Sequence, residues 1–298
     1  MAASSAPPSE TPLPTPTVAG TIAFLKLTEF ADDANGDIYI VNTDGTGLKR
    51  LTNDPQLEDH PAWSPDGRKI AYAHWPSNTS TAGCTIWVMN ADGSGKKQLT
   101  KGALGAVWPE WSPDGKQIAF GGRESSGEST YVMNADGSGL KLVAAGPDSD
   151  DQDTSTEYGG GMAWAPDGKF LYLSAGEVVA VYPDGSDRVQ LTQGADLGTF
   201  AMSPDGALFA LENSVRRLYV APVQGDGTPV TLLDPVYDYM ADPWTIPTWS
   251  PDGKAVAISS NSLFGMTGSQ LYIINADGSG LSAVPGIDSA NDADWRPE

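Results

Sequence analysis

The 298-residue sequence has few of the residues that build common catalytic and metal centres. Cysteine occurs once, at Cys84, so no disulfide can form within the chain, and no base near it in the sequence marks this thiol as a nucleophile. Histidine occurs only at His60 and His74. The sequence contains no G-x-S-x-G, H-E-x-x-H or C-x-x-C motif. These absences argue against a serine-hydrolase elbow, a zinc-protease helix and a dithiol centre.

Positive charge and long apolar runs are also scarce. Asp and Glu number 38 against 17 Lys and Arg, which gives a net charge of −21. Nucleic acids and anionic lipid surfaces need a basic footprint, so neither is expected as a partner. No run approaches the roughly eighteen apolar residues of a membrane-spanning helix, so no transmembrane segment is expected.

A hairpin motif recurs along the chain. Its clearest copy is D-H-P-A-W-S-P-D-G-R-K-I-A-Y-A at 59–73, where a strand carrying Trp63 precedes a Ser-Pro-Asp-Gly turn. The residues ahead of the later copies of this turn are Trp111, Trp164, Met202 and Trp249, and a truncated copy begins at Trp295. The steps from Trp63 to Trp295 are 48, 53, 38, 47 and 46 residues. A period of this length is typical of a propeller or a solenoid.

A second repeat, Asn-x-Asp-Gly, runs out of phase with the first at 42–47, 90–95, 134–139 and 275–280. Asp-Gly between apolar runs predicts a hairpin, so each unit has four strands, A to D. This favours a β-propeller. The chain enters at strand B and leaves at strand A, and the last strand should therefore complete blade 1 and close the ring. We predict an all-β, six-bladed propeller over 20–298, with blades 2 to 6 beginning near Pro61, Pro109, Met162, Phe200 and Pro247.

The two repeats together, W-S-P-D-G-x-x-I-A-[FY] followed by I-Y-[IV]-[MV]-N-x-D-G-[ST]-G, resemble the WD-like repeats of the TolB family. The resemblance covers 20–298. It implies a six-bladed propeller in the bacterial cell envelope. Similar repeats occur in prolyl oligopeptidase-like peptidases and in some pectin-degrading lyases, so the motif is specific for fold rather than for function. TolB also has a separate N-terminal domain, which the preceding 19 residues are too few to form.

Residues 1–19 are rich in Pro, Ser and Thr and are expected to be disordered or extended. They show no charged and apolar regions of a signal peptide, so the sequence as given carries no export signal. Two interpretations remain open. The segment is a tail, or it is a spacer that follows a removed signal in an exported, periplasmic or surface-tethered protein.

The acidic residues fall into two groups. Eleven belong to the repeated turns, where Asp bonds its own turn backbone: Asp44, Asp66, Asp92, Asp114, Asp136, Asp167, Asp184, Asp205, Asp226, Asp252 and Asp277. These turns share one rim of the predicted propeller. The opposite rim, which we call the crossover rim, carries the links between blades at 53–62, 101–110, 145–162, 193–201, 234–248 and 285–294. These links hold sixteen acids and one base, Lys101.

We interpret the crossover rim as a binding face, because variable loops on a rigid scaffold often carry function. A negative rim would attract cations or a basic protein, although it could also be a solvated surface. The candidate partner-binding residues are the acids and histidine of one link together with aromatics outside the repeat: Glu58, Asp59, His60, Trp75, Trp108, Tyr158, Tyr237, Tyr239 and Trp244. These aromatics could instead anchor loops, and His60 could be an ordinary polar loop residue. The repeat tryptophans are expected to pack between blades.

Calcium is the cation that this rim is expected to suit. The longest link concentrates carboxylates without a neighbouring base, at Asp148, Asp150, Asp151, Asp153 and Glu157. Calcium accepts carboxylates in loose geometry, and a flexible acidic loop is the alternative. No other cofactor is predicted.

Two function classes follow. The favoured one is a monomeric, non-catalytic protein-binding propeller of the bacterial envelope that uses the acidic crossover rim. The alternative is a carbohydrate-active or other hydrolytic or lyase enzyme that uses carboxylates of the same face. The absence of a nucleophile motif and of a histidine cluster favours binding, whereas the separation of carboxylate pairs cannot be read from sequence.

Overall fold

The structure, a computed structural model, describes residues 16–27, 35–76, 83–101, 104–124, 127–145, 162–174, 177–192, 197–213, 217–224, 228–233, 246–260 and 270–297. These residues form strands, turns and short links, and no helix occurs among them. Correspondingly, the described part of the chain contains no helix that could cross a bilayer. The 24 strands form six antiparallel sheets of four strands each. The prediction of an all-β propeller with six four-stranded blades is therefore confirmed.

The blades follow one another along the chain, and within each the strands are ordered A to D from the channel outward. Blade 1 comprises β1 (Thr21–Leu27), β2 (Gly36–Asn42), β3 (Lys49–Arg50) and β24 (Asn291–Trp295). Blade 2 comprises β4 (Leu57–Trp63), β5 (Lys69–Trp75), β6 (Thr85–Asn90) and β7 (Lys97–Gln98). Blade 3 comprises β8 (Ala106–Trp111), β9 (Gln117–Glu124), β10 (Gly127–Asn134) and β11 (Lys141–Ala145).

The second half of the ring repeats this plan. Blade 4 comprises β12 (Met162–Trp164), β13 (Phe170–Ser174), β14 (Glu177–Val181) and β15 (Val189–Gln190). Blade 5 comprises β16 (Leu197–Met202), β17 (Leu208–Asn213), β18 (Leu218–Pro222) and β19 (Val230–Leu233). Blade 6 comprises β20 (Thr248–Trp249), β21 (Ala255–Ser260), β22 (Gln270–Asn275) and β23 (Ser282–Ala283). Three inner strands, β4, β8 and β16, begin three or four residues before the predicted blade starts.

The hydrophobic core is divided among the blade interfaces. Six clusters of buried apolar side chains occur in the described residues, and each joins two neighbouring blades. Each interface receives the inner-strand residue ahead of the Ser-Pro-Asp-Gly-type turn. Trp164 and Trp249 also donate indole N–H bonds to the backbone oxygens of Glu110 and Ala201 in the preceding blade, at 3.1 and 3.2 Å. The expectation that the repeat tryptophans pack between blades is confirmed.

The repeated turns form as their residues predict. In the first of them, Gly67 has a φ of 61°, a backbone conformation that favours glycine. The carboxylate of Asp66 accepts hydrogen bonds from the Ser64 hydroxyl at 2.7 Å and from the Arg68 backbone N–H at 3.1 Å. Each of the other turn aspartates in the described residues accepts a backbone N–H from the residue two positions later, and Asp226 lies outside the described residues. These acids shape the turns, as predicted.

Ring closure rests on β24, which pairs antiparallel with β1 so that Ile22 faces Trp295. The Arg296 backbone N–H donates to Thr21 O at 2.9 Å, and Trp295 is only 3% exposed, in the core between blades 6 and 1. The fit is tight, since a Cβ added at Gly20 would lie 2.2 Å from Trp295 Nε1. The C-terminal strand thus completes blade 1, as predicted.

Candidate functional site

The inner strands of the six blades surround a cavity of about 470 Å³. Its wall is made largely of proline and aromatic side chains: Pro61, Trp108, Pro109, Trp111, Pro113, Trp164, Phe200, Pro204, Pro247, Trp249, Pro251, Trp295 and Pro297. Three of these prolines, Pro113, Pro204 and Pro251, belong to the turns that follow the inner strands. The cavity therefore extends from the middle of the channel toward the turn-bearing rim. In the described part of the chain, the ionisable residues of its lining are His60, Glu110, Asp292 and Asp294.

Three neighbouring inner strands share an unusual backbone. The pairing of β4, β8 and β24 with the next strand shifts register, which marks a β-bulge in each. At these bulges His60, Trp108 and Asp292 have φ values of 48°, 52° and 48°. Each lies three residues before the repeat tryptophan of its strand. A left-handed conformation at a non-glycine residue costs about 1–3 kcal/mol, and such strain clusters at functional sites. The same device in three adjacent blades indicates a built site.

The bulges bring the three side chains together at the cavity. Trp108 Nε1 donates to His60 Nε2 at 2.6 Å, and the two rings meet edge to face with centroids 5.6 Å apart. On its other side, His60 Nδ1 lies 2.9 Å from Asp59 Oδ1. Asp292 Oδ1 is 3.6 Å from His60 Nε2. His60 therefore has Asp59 beside Nδ1, and both Trp108 and Asp292 beside Nε2.

The groups around His60 favour two different protonation states of its imidazole. Burial alone would lower the pKa of His60, but the carboxylates of Asp292, Asp59 and Glu110 outweigh it and raise the pKa to about 9. The hydrogen bond from Trp108, by contrast, needs a free lone pair on Nε2 and so belongs to the neutral imidazole. Protonation at Nε2 is therefore incompatible with the Trp108 bond and places a positive charge 3.6 Å from the carboxylate of Asp292.

Glu110 and Asp294 add two further carboxyls to this wall. Burial raises the pKa of Glu110 well above its usual range, with a smaller contribution from Asp294. Burial also raises the pKa of Asp294, to about 6, although hydrogen bonds oppose the rise. The carboxylate of Asp294 accepts from the Trp63 backbone N–H at 2.6 Å and from the Thr248 hydroxyl at 3.2 Å. Asp294 thus connects blades 1, 2 and 6, and it has a structural role at the ring closure.

The charge of the wall is unbalanced. No Lys or Arg is among the described residues that line the cavity. Carboxylates removed from water are stabilised when a cation approaches them, and aromatic faces attract cations as well. A wall of carboxyls and indoles is therefore suited to a cationic group, and among the described lining residues only His60 is able to supply a positive charge.

The structure corrects the predicted positions of several site residues. Glu58, Asp59, His60 and Trp108 were expected in links on the crossover rim, but they lie within β4 and β8. Glu58 and Asp59 are only 2% and 4% exposed, so they cannot contact a partner from the surface. The bulge is the physical reason, because it interrupts the alternation by which a strand is recognised. Trp75 ends β5 and is half-buried against the core between blades 2 and 3.

The remaining predicted residues belong to the links 145–162 and 234–248. Tyr158, Tyr237, Tyr239, Trp244 and the calcium candidates Asp148, Asp150, Asp151, Asp153 and Glu157 lie outside the described residues. The crossover-rim hypothesis is altered nonetheless, because five of its sixteen acids belong to inner strands: Glu58, Asp59, Glu110, Asp292 and Asp294. The sequence reasoning did not single out the last three as site residues. The sequence signal for the site was the constant position of His60, Trp108 and Asp292, each three residues before a repeat tryptophan.

Comparisons with known proteins agree on the fold. No family model and no curated protein sequence matches the chain. Among solved structures, TolB from Acinetobacter baumannii superposes with a TM-score of 0.74 at 20% identity, covering 94% of this chain and 67% of that one. A protein described as TolB from Agrobacterium tumefaciens gives 0.62 at 16% identity, over 94% and 100%. An oligogalacturonate lyase in complex with manganese gives 0.54 at 15%, over 84% and 72%. The chain thus has a TolB-like six-bladed propeller fold.

Proposed function

We propose that this chain is a non-catalytic, protein-binding propeller of the bacterial cell envelope, and that a basic side chain of its partner enters the central cavity. The observation that carries the proposal is the cluster of His60, Trp108 and Asp292, which three strained bulges hold against one another. Strain of this kind persists only where the surrounding structure maintains it, and binding sites are a common reason.

The charge of the cavity lining determines which kind of chemical group would bind in the cavity. Burial of Glu110, Asp292 and Asp294 opposes their ionisation, so the cavity holds carboxyls at raised pKa. A Lys or Arg side chain would favour the ionised forms and would displace protons as it binds. The cavity, rather than the crossover rim, is therefore the proposed contact point, because it holds acids that the sequence had suggested for the rim.

The cellular location and the monomeric state belong to the same proposal. They are supported by the TolB-like fold, by the spacer-like composition of residues 1–19 and by a net charge of −21. Fractionation of the cells that produce the chain tests the location, and recovery in the cytoplasm would contradict it. Sedimentation at micromolar concentration tests the oligomeric state.

The binding test uses the chain's own tryptophans, because Trp108, Trp111 and Trp164 line the cavity. Short peptides that differ only by Arg, Lys or Gln at one central position are titrated while Trp emission is followed. We expect a saturable change with Arg and Lys and none with Gln. Because binding displaces protons, calorimetry in buffers of different ionisation enthalpy should report proton release.

Two paired variants separate the site from the overall charge. Glu110→Gln with Asp292→Asn should abolish the response, whereas Asp136→Asn with Asp277→Asn on exposed turns should keep it. The two pairs replace the same number of carboxyl groups, so equal loss in both would mean that the response follows the overall charge rather than the cavity and would overturn the proposal. Turnover of an oligogalacturonide by the unaltered chain would instead support the enzyme alternative, to which the lyase's shared fold and the carboxyls Glu110 and Asp294 would then be relevant.

A further inference from the structure

A second polar cluster lies away from the cavity, between blades 1 and 2. Asp54 lies in the link from β3 to β4, Glu58 is in β4 and His74 is near the end of β5. Glu58 and His74 are direct partners in the β4–β5 pairing, so their side chains lie on the same face of the sheet. The three residues thus come from three consecutive segments that the hairpin holds in place.

The donor atoms of this cluster are spaced as ligands of one ion would be. His74 Nδ1 is 3.2 Å from Glu58 Oε1. One donor atom from each of Asp54, Glu58 and His74 lies within 4.8 Å of those of the other two. Tetrahedral zinc holds N and O ligands at about 2.0–2.2 Å, which places neighbouring ligands roughly 3.4 Å apart. The Glu58–His74 pair already has nearly this separation, and Asp54, on an exposed link, would need only a small movement.

Glu58 gives an independent sign of a missing partner. Its residue is 2% exposed, and its second oxygen, Oε2, is buried with no hydrogen-bond partner. A buried carboxylate oxygen without a partner is costly and rare in native structures. Among the described residues, no Lys or Arg forms an ion pair with Glu58 or Asp54. The ion-pair partner of Glu58 is His74, which contacts Oε1 at 3.2 Å and leaves Oε2 without a partner, so a metal ion that replaces the shared proton would bind both side chains.

We propose that Asp54, Glu58 and His74 form a binding site for a divalent transition-metal ion of the zinc class. One imidazole nitrogen and two carboxylates suit Zn²⁺, whereas Ca²⁺ prefers six to eight oxygen ligands. Because Asp54 is exposed and His74 partly so, a fourth position faces solvent. The ion would tie the link between blades 1 and 2 to the β4–β5 hairpin.

The test uses the untagged full chain and Zn²⁺ alone as the probe. Calorimetry should show one equivalent bound near neutral pH. Asp54→Asn and His74→Gln should each remove this binding. Asp288→Asn should preserve it, because Asp288 is likewise an exposed aspartate in a link between blades, but at the other side of blade 1. Equal loss in the Asp288 variant, or unchanged binding in the His74 variant, would overturn the site.

A spectroscopic measurement keeps the test decisive if a variant fails to fold. The chain has only two histidines, so ¹⁵N spectra contain two imidazoles, which His60→Gln or His74→Gln assigns. Zn²⁺ should shift the bonded nitrogen of His74 and leave His60 in place. The competing site is the cavity group Asp59, His60 and Asp292, whose donor atoms are similarly close. A shift confined to His60, or no shift at one equivalent of Zn²⁺, would refute the assignment.

Discussion

The turn aspartates and the cavity carboxyls are the same chemical groups in opposite settings. Asp114, on an exposed turn, accepts hydrogen bonds from Lys116 and Ser112, which lower its pKa to about 2. Asp294, in the cavity wall, is held where burial outweighs its hydrogen bonds and raises its pKa to about 6. The turn acids are stabilised as anions by the backbone that they shape. Burial opposes the ionisation of the cavity acids, so their protonation state can respond to a cation.

The largest effect on stability is expected from removing the closing strand, which deletes Asp292 and Asp294 of the cavity and leaves every turn aspartate in place. Deletion of residues 291–298 also removes Trp295 from the core and exposes the edge of β1. We expect a loss of about 4 kcal/mol or more in the free energy of unfolding, measured with urea. The exposed Leu48→Ala substitution is the control, and an unchanged midpoint in the deletion variant would refute closure by β24.

Alkaline titration addresses the two histidines, because the hydrogen bond to Glu58 raises the pKa of His74 as well, and the His60→Gln variant isolates the contribution of the cavity. The pKa of His60 is about 9 in the folded chain and near 6.5 when unfolded, so protonated His60 stabilises the fold below pH 6.5. This stabilisation, about 3 kcal/mol, is lost as the pH rises from 6.5 through 9. Urea unfolding at successive pH values should show the decline in the natural chain and a weaker one in His60→Gln. Identical pH profiles would mean that the carboxylates do not act on His60.

Matched alanine substitutions compare the two regions directly. Asp294→Ala leaves the Trp63 backbone N–H without its acceptor in a buried wall, and we expect it to cost about 2–3 kcal/mol. Asp205→Ala removes bonds from Ser203 and Ala207 on an exposed turn and should cost about 1 kcal/mol or less. Thermal or urea unfolding checks both. If Asp205→Ala cost as much as Asp294→Ala, burial would not distinguish the two groups.

The smallest effect is expected from a segment that belongs to neither region. A chain that begins at Val18 keeps the residue that packs beside the core between blades 6 and 1. Because residues 1–17 are rich in Pro, Ser and Thr, we expect an unchanged melting temperature in calorimetry. A clear decrease would show that this segment packs on a blade.

The fold could be predicted because its information is local and repeated. The Ser-Pro-Asp-Gly and Asn-x-Asp-Gly turns fix two hairpins in each blade, and the phase of the chain ends fixes the closing strand. The packing agrees with these expectations, because the repeat tryptophans occupy the blade interfaces even though the links between blades differ in length and sequence.

The site could not be predicted in the same way, since bulges place it. The alternation of inward and outward side chains ends at His60 and Trp108, which adopt positive φ. Pro61 and Pro109 follow directly, so both stretches resemble loops in the sequence. Contacts such as His60 with Asp292 join residues that are far apart in the chain, and no local pattern reports them. The sequence does show that His60, Trp108 and Asp292 each stand three residues before a repeat tryptophan. Only the backbone conformation shows that these positions are bulges that bring the three side chains together.

The pairing of β1 with β24 also determines how the molecule would respond to force. The five other blades each consist of consecutive strands, whereas blade 1 joins the two ends of the chain. Ile22, at the start of β1, faces Trp295, at the end of β24. Tension between the two ends would therefore load the hydrogen bonds of this pair one after another, in an unzipping geometry, rather than all together in shear. Because β24 carries Asp292 and Asp294, such a pull would dismantle the cavity wall before any other blade yields.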